Sequence, residues 1–79
     1  MKKIQIKLSA IGDPVKLPNI LAKYTNVDFD LQQGRYIVDA KSLMGIYALD
    51  LLKPIDFVIN SDDEKTVGAV CDDLKDWVV

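Results

Sequence analysis

The stretch Lys41-Ser42-Leu43-Met44-Gly45-Ile46-Tyr47-Ala48-Leu49 decides how the rest of the chain is interpreted. Ser42 is a good helix N-cap residue, because its hydroxyl can accept a hydrogen bond from a backbone N–H one turn later. The residues that follow are more apolar than a short surface helix needs in order to dock on its own core. If Ile46 and Leu49 face the core, the remaining large side chains lie on another face: Leu43, Met44 and Tyr47. An exposed apolar face of this kind usually binds a partner, so the stretch predicts a docking helix with a serine at its start.

The composition limits the classes of protein to which the chain can belong. Its 79 residues are enough for one domain, residues 1–79. The net charge of −2 argues against a nucleic-acid partner, since binding to a phosphate backbone needs clustered Lys and Arg. No apolar run approaches the ~20 residues of a membrane helix. A single cysteine, Cys71, and the absence of a signal-peptide pattern predict a cytoplasmic protein. The chain has no histidine, the commonest general base and metal ligand; we therefore expect no metal, no cofactor and no enzymatic activity.

Alternating apolar residues predict four strands, each buried on one face. Gln33-Gly34 is a plausible tight turn between the second and third strands. The predicted element order is β-α-β-β-α-β-α. Because strands buried on one face need only one covering layer, we expect an α+β open-faced sandwich, with a four-stranded antiparallel sheet and three helices on one face. The predicted inward-facing residues are Ile4, Ile6 and Leu8, then Val27, Phe29 and Leu31, then Tyr36, Val38 and Ala40, and finally Ile55, Phe57 and Ile59.

Three helices are predicted between and after these strands. The first is expected to begin at Pro18, because Pro14 and Pro18 argue against a regular helix between them. The second is the docking helix, which begins after Ser42 and ends near Asp50. The third is predicted to begin with a capping box, Ser61-Asp62-Asp63-Glu64. Its apolar stripe is expected to contain Val67, Val70, Cys71, Leu74 and Val78.

The central motif closely resembles the regulatory-serine segment of HPr, the histidine-containing phosphocarrier of the bacterial sugar phosphotransferase system. The order of elements is also similar, and the resemblance extends from about Lys3 to the end of the chain. It implies that Ser42 occupies the position of the serine that a dedicated kinase phosphorylates in many Gram-positive members. It also implies that the helix docks on a phosphotransferase-system enzyme, the serine kinase or a transcriptional regulator. The predicted docking residues are Lys41, Leu43, Met44, Gly45 and Tyr47.

The chain departs from that family at the phosphocarrier site. The family has a histidine in the loop before the first helix, followed two residues later by an arginine and then a proline. Alignment on Pro18 puts Val15 at the histidine position and Leu17 at the arginine position, whereas counting from Gly12 puts Pro14 at the histidine position. None of these residues can accept a phosphoryl group. The resemblance therefore implies a relative that kept the docking helix and lost the carrier chemistry.

Several of these residues also have a simpler structural explanation. Ser42 can be a helix cap without being modified. Gly45 can simply be tolerated near the first turn, and the functional alternative is that it lets a partner or a phosphate approach the backbone closely. Asp13 could accept a phosphoryl group as an acyl phosphate, but an aspartate in a turn is the better interpretation. Cys71 is best interpreted as a core residue, and the carboxylates at positions 72, 73 and 76 as a solvated face and not a metal site.

Two functions therefore stay open at this point. The first is a regulatory or protein-interaction module linked to the sugar phosphotransferase system or to carbon regulation, and switched by phosphorylation at Ser42. The alternative is a structural domain that uses the apolar helix to form a homodimer or to hold a permanent partner. A monomer and a homodimer are both compatible with the sequence.

Overall fold

Four antiparallel strands form one sheet in the order β1-β4-β2-β3. The computed structural model describes all residues, 1–79. The strands are β1 (Lys2–Ile6), β2 (Asp28–Gln33), β3 (Tyr36–Asp39) and β4 (Ile55–Asn60), and the helices are α1 (Asp13–Leu21), α2 (Leu43–Tyr47) and α3 (Glu64–Asp73). This is the predicted α+β open-faced sandwich, with the predicted element order.

The core lies between the inward face of the sheet and the three helices. Alternate strand residues point to the same face, and those that point inward meet the apolar side chains of the helices. The strand residues buried in this core are Ile6, Phe29, Leu31, Ile55, Phe57 and Ile59, and the buried helix residues include Leu17, Leu21, Ile46 and Val70. Val58 of β4 is also buried, but it lies on the opposite face of the sheet. The opposite face of the sheet carries polar pairs such as Gln5 with Asp56, whose side chains are joined by a 3.2 Å hydrogen bond. None of the three helices has the length and apolar character needed to cross a membrane.

The first helix begins at Asp13, so the prediction of a start at Pro18 was wrong. Pro14 lies in the first turn, where its missing N–H removes no helical hydrogen bond. Pro18 lies inside the helix, and because it has no N–H it loses the hydrogen bond to the carbonyl group one turn earlier. Burial of Leu17 and Leu21, four residues apart on the core side, holds the helix across this gap. Tertiary packing thus outweighs the local effect of Pro18.

Asp13 closes the turn that leads into α1. Its N–H donates to the carbonyl oxygen of Ala10 at 3.1 Å, and its Oδ2 accepts from the N–H of Ala10, also at 3.1 Å. The residue is buried. These two reciprocal bonds give Asp13 a structural function in the turn, as its simpler interpretation predicted.

The prediction of a capping box at the start of the third helix was also wrong. The N-cap residue is Asp63, whose carboxylate accepts from the Lys65 N–H at 3.3 Å and from the Thr66 hydroxyl at 2.8 Å. The Ser61 hydroxyl, two residues before this N-cap, accepts from the Asp63 N–H at 3.1 Å. An aspartate is as good an N-cap as a serine, so the sequence offered two candidates and the structure uses the later one.

The last residues of the chain form a short strand-like segment and do not continue α3. Val78, predicted to lie on the helical stripe, forms an antiparallel bridge with Ile6. The N–H of Lys7 donates to the Trp77 carbonyl at 2.9 Å, and the N–H of Val79 donates to the Gln5 carbonyl at 3.1 Å. The outer edge of β1 is therefore partly covered by the chain itself.

The turn between β2 and β3 is one residue later than predicted. Gln33 pairs with Tyr36, so Gly34 and Arg35 are the two central residues. Gly34 has a φ of +58°, which places a residue with a left-handed conformation at the first central position, where a type II′ turn requires glycine. Tyr36 was predicted to face the core but is 60% exposed, because it lies on the outermost strand next to this turn.

Candidate docking site

The short helix α2 is capped as the sequence predicted. Ser42 has an extended conformation, and its hydroxyl accepts from the Gly45 N–H at 3.3 Å. Its carbonyl oxygen accepts from the Ile46 N–H at 3.0 Å. The helix itself ends at Tyr47, with Ala48 as its C-cap, and is shorter than the predicted segment that ended near Asp50. Ser42 therefore has a clear structural function whether or not it is modified.

The large side chains of α2 and of the turn after it divide into two groups, as predicted. Ile46 and Leu49 are buried in the core. The other three are exposed: Leu43 by 40%, Met44 by 87% and Tyr47 by 54%. We refer to Leu43, Met44 and Tyr47 as the α2 patch. Their exposure is a feature of the fold, and their function in docking stays a prediction.

The ammonium group of Lys41 binds within the chain. Its Nζ donates to the carbonyl oxygens of Tyr24 at 2.8 Å and of Val27 at 2.9 Å, in the segment that joins α1 to β2. It also lies 5.4 Å from the centre of the Phe29 ring. Two of its three N–H donors are thus engaged with the backbone. The sequence did not predict this function of Lys41, because backbone carbonyl groups carry no sequence signal. A docking function for Lys41 stays a prediction.

Gly45 lets α2 approach the sheet closely. A Cβ atom at this position would lie 3.0 Å from the Cβ of Val38 in β3 and 3.5 Å from the Ser42 hydroxyl oxygen. This contact lies inside the molecule, so the structure gives the glycine a packing function that the sequence analysis did not identify. This packing does not test the predicted function of Gly45 in docking, which stays a prediction.

A carboxylate lies close to the backbone at the start of α2. The carbonyl oxygen of Asp39 accepts from the Ser42 N–H at 3.0 Å, and its Oδ1 accepts from the Lys41 N–H at 2.9 Å. The local charge near Ser42 therefore comes from exposed Asp39, while the Lys41 ammonium is held by carbonyl groups of another segment.

A crystal structure with the same architecture identifies the fold. The chain is similar to HPr-C-His from Thermoanaerobacter tengcongensis, with a TM-score of 0.73 and 20% sequence identity over 95% of this chain and 92% of that chain. The chain has the HPr fold. No protein-family model and no curated protein sequence matches it. At this identity the similarity extends to the fold alone.

The positions that the resemblance assigned to the HPr carrier site all lie in α1. Leu17, at the predicted arginine position, is fully buried in the core, and Pro14 is also buried. Val15 is exposed in the first turn. Ile11, in the preceding loop, is almost completely exposed and was not singled out by the sequence analysis. The structure therefore places apolar side chains at the start of α1. This helix packs against α2.

A hydrogen-bonded group on the helix layer joins the end of α1 to the end of α3. The Tyr24 hydroxyl donates to Asp73 Oδ2 at 2.5 Å, and Lys23 Nζ lies 2.9 Å from the same oxygen. Burial, followed by the contact with Asp73, raises the pKa of Tyr24 to about 12. The Tyr24 hydrogen bond, followed by that of Lys23, lowers the pKa of Asp73. Asp73 was predicted to lie on a solvated face, and this was wrong because Lys23 and Tyr24, in the segment just after α1, bind its carboxylate.

Proposed function

We propose that the chain is a regulatory or protein-interaction module with the HPr fold, which binds a partner through the α2 patch and does not carry a phosphoryl group. The exposure of three large apolar side chains on one short helix supports this proposal. The partner class follows from the resemblance of the central motif: a phosphotransferase-system enzyme, a serine kinase or a transcriptional regulator. The lack of any histidine supports the loss of the carrier step.

The α2 patch is held in a defined shape, which favours binding. A helix as short as α2 is not stable by itself in water. Here it is fixed by the Ser42 cap, by the close packing of α2 on β3 that Gly45 allows and by burial of Ile46. A surface that is already ordered loses little conformational entropy when a partner binds.

Phosphorylation of Ser42 would act on this surface by charge. A phosphate adds a charge of about −1.5 to −2 at pH 7. The nearby carboxylate of Asp39 is also negative, and the Lys41 ammonium is engaged by the Tyr24 and Val27 carbonyls. The added charge would therefore meet little local neutralisation beside the α2 patch. We propose that phosphorylation weakens the docking of an apolar partner.

A pull-down with matched variants tests the docking surface. Met44→Asp places a charge at the most exposed position of the α2 patch and should abolish capture of the partner. Leu52→Asp changes another apolar and well-exposed residue, in the loop after α2, and should leave capture unchanged. Equal capture by wild type and Met44→Asp would contradict the proposed surface.

A second pair of variants tests the switch separately. Ser42→Asp keeps an N-cap acceptor and adds a negative charge, whereas Ser42→Ala removes the cap and adds no charge. The proposal predicts that the aspartate variant loses the partner and that the alanine variant keeps it, at a cost to stability of about 1 kcal/mol. Loss of binding in the alanine variant alone would mean that the cap, and not charge, controls docking.

The absence of carrier chemistry is tested by phosphoryl transfer from phosphoenolpyruvate through the first enzyme of the system. Wild-type chain should acquire no label under conditions that label an authentic HPr. An acid-labile label on any residue would overturn this part of the proposal. The alternative assembly function predicts a stable dimer that Met44→Asp converts to a monomer, and a wild type that is monomeric at high concentration would remove it.

A further inference from the structure

The two outer strands of the sheet differ in how their free edges are covered. Along the edge of β1 the chain forms backbone hydrogen bonds with residues 77–79 at its own end. No segment of the chain pairs with the outer edge of β3. An uncovered strand edge is a template for pairing with another strand.

The register of β3 shows which backbone groups face outward. The N–H of Ala40 donates to the Phe29 carbonyl at 3.0 Å, so Ala40 points its backbone groups toward β2. Because these directions alternate along an antiparallel strand, the backbone groups of Val38 and Tyr36 also point toward β2, while those of Ile37 and Asp39 point to the free edge. The Asp39 carbonyl there already accepts from the Ser42 N–H, whereas the backbone groups of Ile37 have no partner. The side chain of Ile37 is 68% exposed. An apolar residue with two unpaired backbone groups therefore lies at the centre of this edge.

The sequence of this edge, Arg35-Tyr36-Ile37-Val38-Asp39, is complementary to itself. If two copies pair in antiparallel register about a two-fold axis at Ile37, the isoleucines of the two copies exchange both backbone hydrogen bonds. In the same register Arg35, the turn residue that precedes β3, lies opposite Asp39 of the other copy. Opposite charges at directly paired positions stabilise such a pair, and like charges destabilise it.

We propose that β3 is a self-association edge through which two copies of the chain join their sheets, with Ile37 on the symmetry axis. Pairing within one continuous sheet puts the helices of both copies on the same side. The dimer would then present two α2 patches to one side, a geometry suited to bivalent binding. The paired segment, residues 35–39, is short compared with the roughly 20–30 residues a side of a standard interface, so the dimer forms only at high concentration.

Sedimentation over a range of concentrations tests this dimer. Wild type should pass from monomer to dimer as its concentration rises to about 1 mM, the range of a weak complex. Ile37→Lys places two like charges on the symmetry axis and should remain monomeric while keeping the far-UV circular dichroism spectrum of wild type. Met44→Asp should leave the dimer unchanged. A monomeric wild type at the highest concentration, or a dimer lost in Met44→Asp and kept in Ile37→Lys, would overturn the proposal.

The charge pairs provide a specific test of the register. Arg35→Asp should weaken self-association about tenfold, because both cross-strand pairs become repulsive. Asp39→Arg should do the same, and Asp39→Asn is its control because an amide oxygen can still accept from the Lys41 N–H. A mixture of Arg35→Asp and Asp39→Arg restores both attractive pairs and should form a heterodimer at least as strong as the wild-type dimer. Failure of the mixture to associate, with both variants folded, would rule out this register.

Disulfide trapping gives a second measurement. The Cα atoms of a hydrogen-bonded antiparallel pair lie about 5.5 Å apart, within the range that a disulfide can bridge. In a Cys71→Ala background, Ile37→Cys should form a covalent dimer under mild oxidation faster than Leu52→Cys, a control at an equally exposed site. Equal rates for the two variants would show random collision and contradict pairing at β3.

Discussion

Replacement of Lys41 by methionine removes the ammonium group that joins the start of α2 to the segment after α1. Methionine keeps an unbranched apolar stem at the same place, beside the Phe29 ring. The variant therefore isolates the charge and its two hydrogen bonds, at 2.8 and 2.9 Å, from the packing of the side chain. This change separates an internal function of Lys41 from the docking function that the sequence predicted.

The expected magnitude follows from these contacts. A hydrogen bond from a charged group contributes about 1.5–3 kcal/mol net, and a cation near an aromatic face contributes about 0.5–1 kcal/mol at an exposed site. Lys41 is half-buried, so water can reach the two carbonyl groups in the variant and recover part of this energy. We expect the free energy of unfolding to fall by about 2–3 kcal/mol. A domain of this size has a total of roughly 4–12 kcal/mol, so the loss is large.

Urea-induced unfolding, followed by circular dichroism and by the fluorescence of Trp77, measures this change. Lys41→Arg is the control, because it keeps the charge and several donors and should lose less than half as much stability. A fall below about 0.5 kcal/mol for Lys41→Met, together with weaker capture of the partner, would refute the reasoning. Lys41 would then act at the surface, as the docking prediction requires.

Three further changes test other contacts of the fold. Tyr24→Phe removes the hydroxyl that lowers the pKa of Asp73; we expect a loss of about 1–2 kcal/mol near pH 7. The pair stabilises the fold above the ordinary carboxyl pKa and loses its effect as pH falls through the lowered folded value, so urea unfolding of the variant should depend less on pH in acid. Gly45→Ala should lower stability by about 1 kcal/mol, because the overlap of the new Cβ with Val38 at 3.0 Å outweighs the better helix propensity of alanine, and an increase in melting temperature would contradict this. Asp63→Ala should cost about 1 kcal/mol as a lost N-cap, which thermal unfolding can measure.

The strands were predictable because burial on one face imposes an alternation that the sequence displays directly. Phe29 and Leu31, or Phe57 and Ile59, are buried on the side that their spacing predicts. The hairpin was displaced by one residue, because a glycine can serve either central position of a two-residue turn. Only the pairing of the strands decides that Gly34 is the first of the two.

The start of α1 was mispredicted because a local rule was applied without its tertiary context. Pro18 removes one hydrogen bond from the helix, and the sequence does not reveal that the side chains on either side of it are buried. The contacts of Lys41 and Asp73 were missed for a related reason. Their partners are 14 to 17 residues and 49 residues away in sequence, and two of them are backbone carbonyl groups. Such contacts depend on the completed fold and leave no periodic signal.

The structure also changes which parts of the central motif argue for a function. Ser42 caps α2, Lys41 binds carbonyl groups after α1, and Gly45 permits the contact with Val38. Ile46 is part of the core. The fold alone therefore accounts for much of the resemblance between this motif and its counterpart in HPr. The α2 patch is different, because exposed apolar side chains contribute little to the stability of the chain that carries them. It is the part of the motif for which the fold gives no reason, and the case for a docking function depends on it.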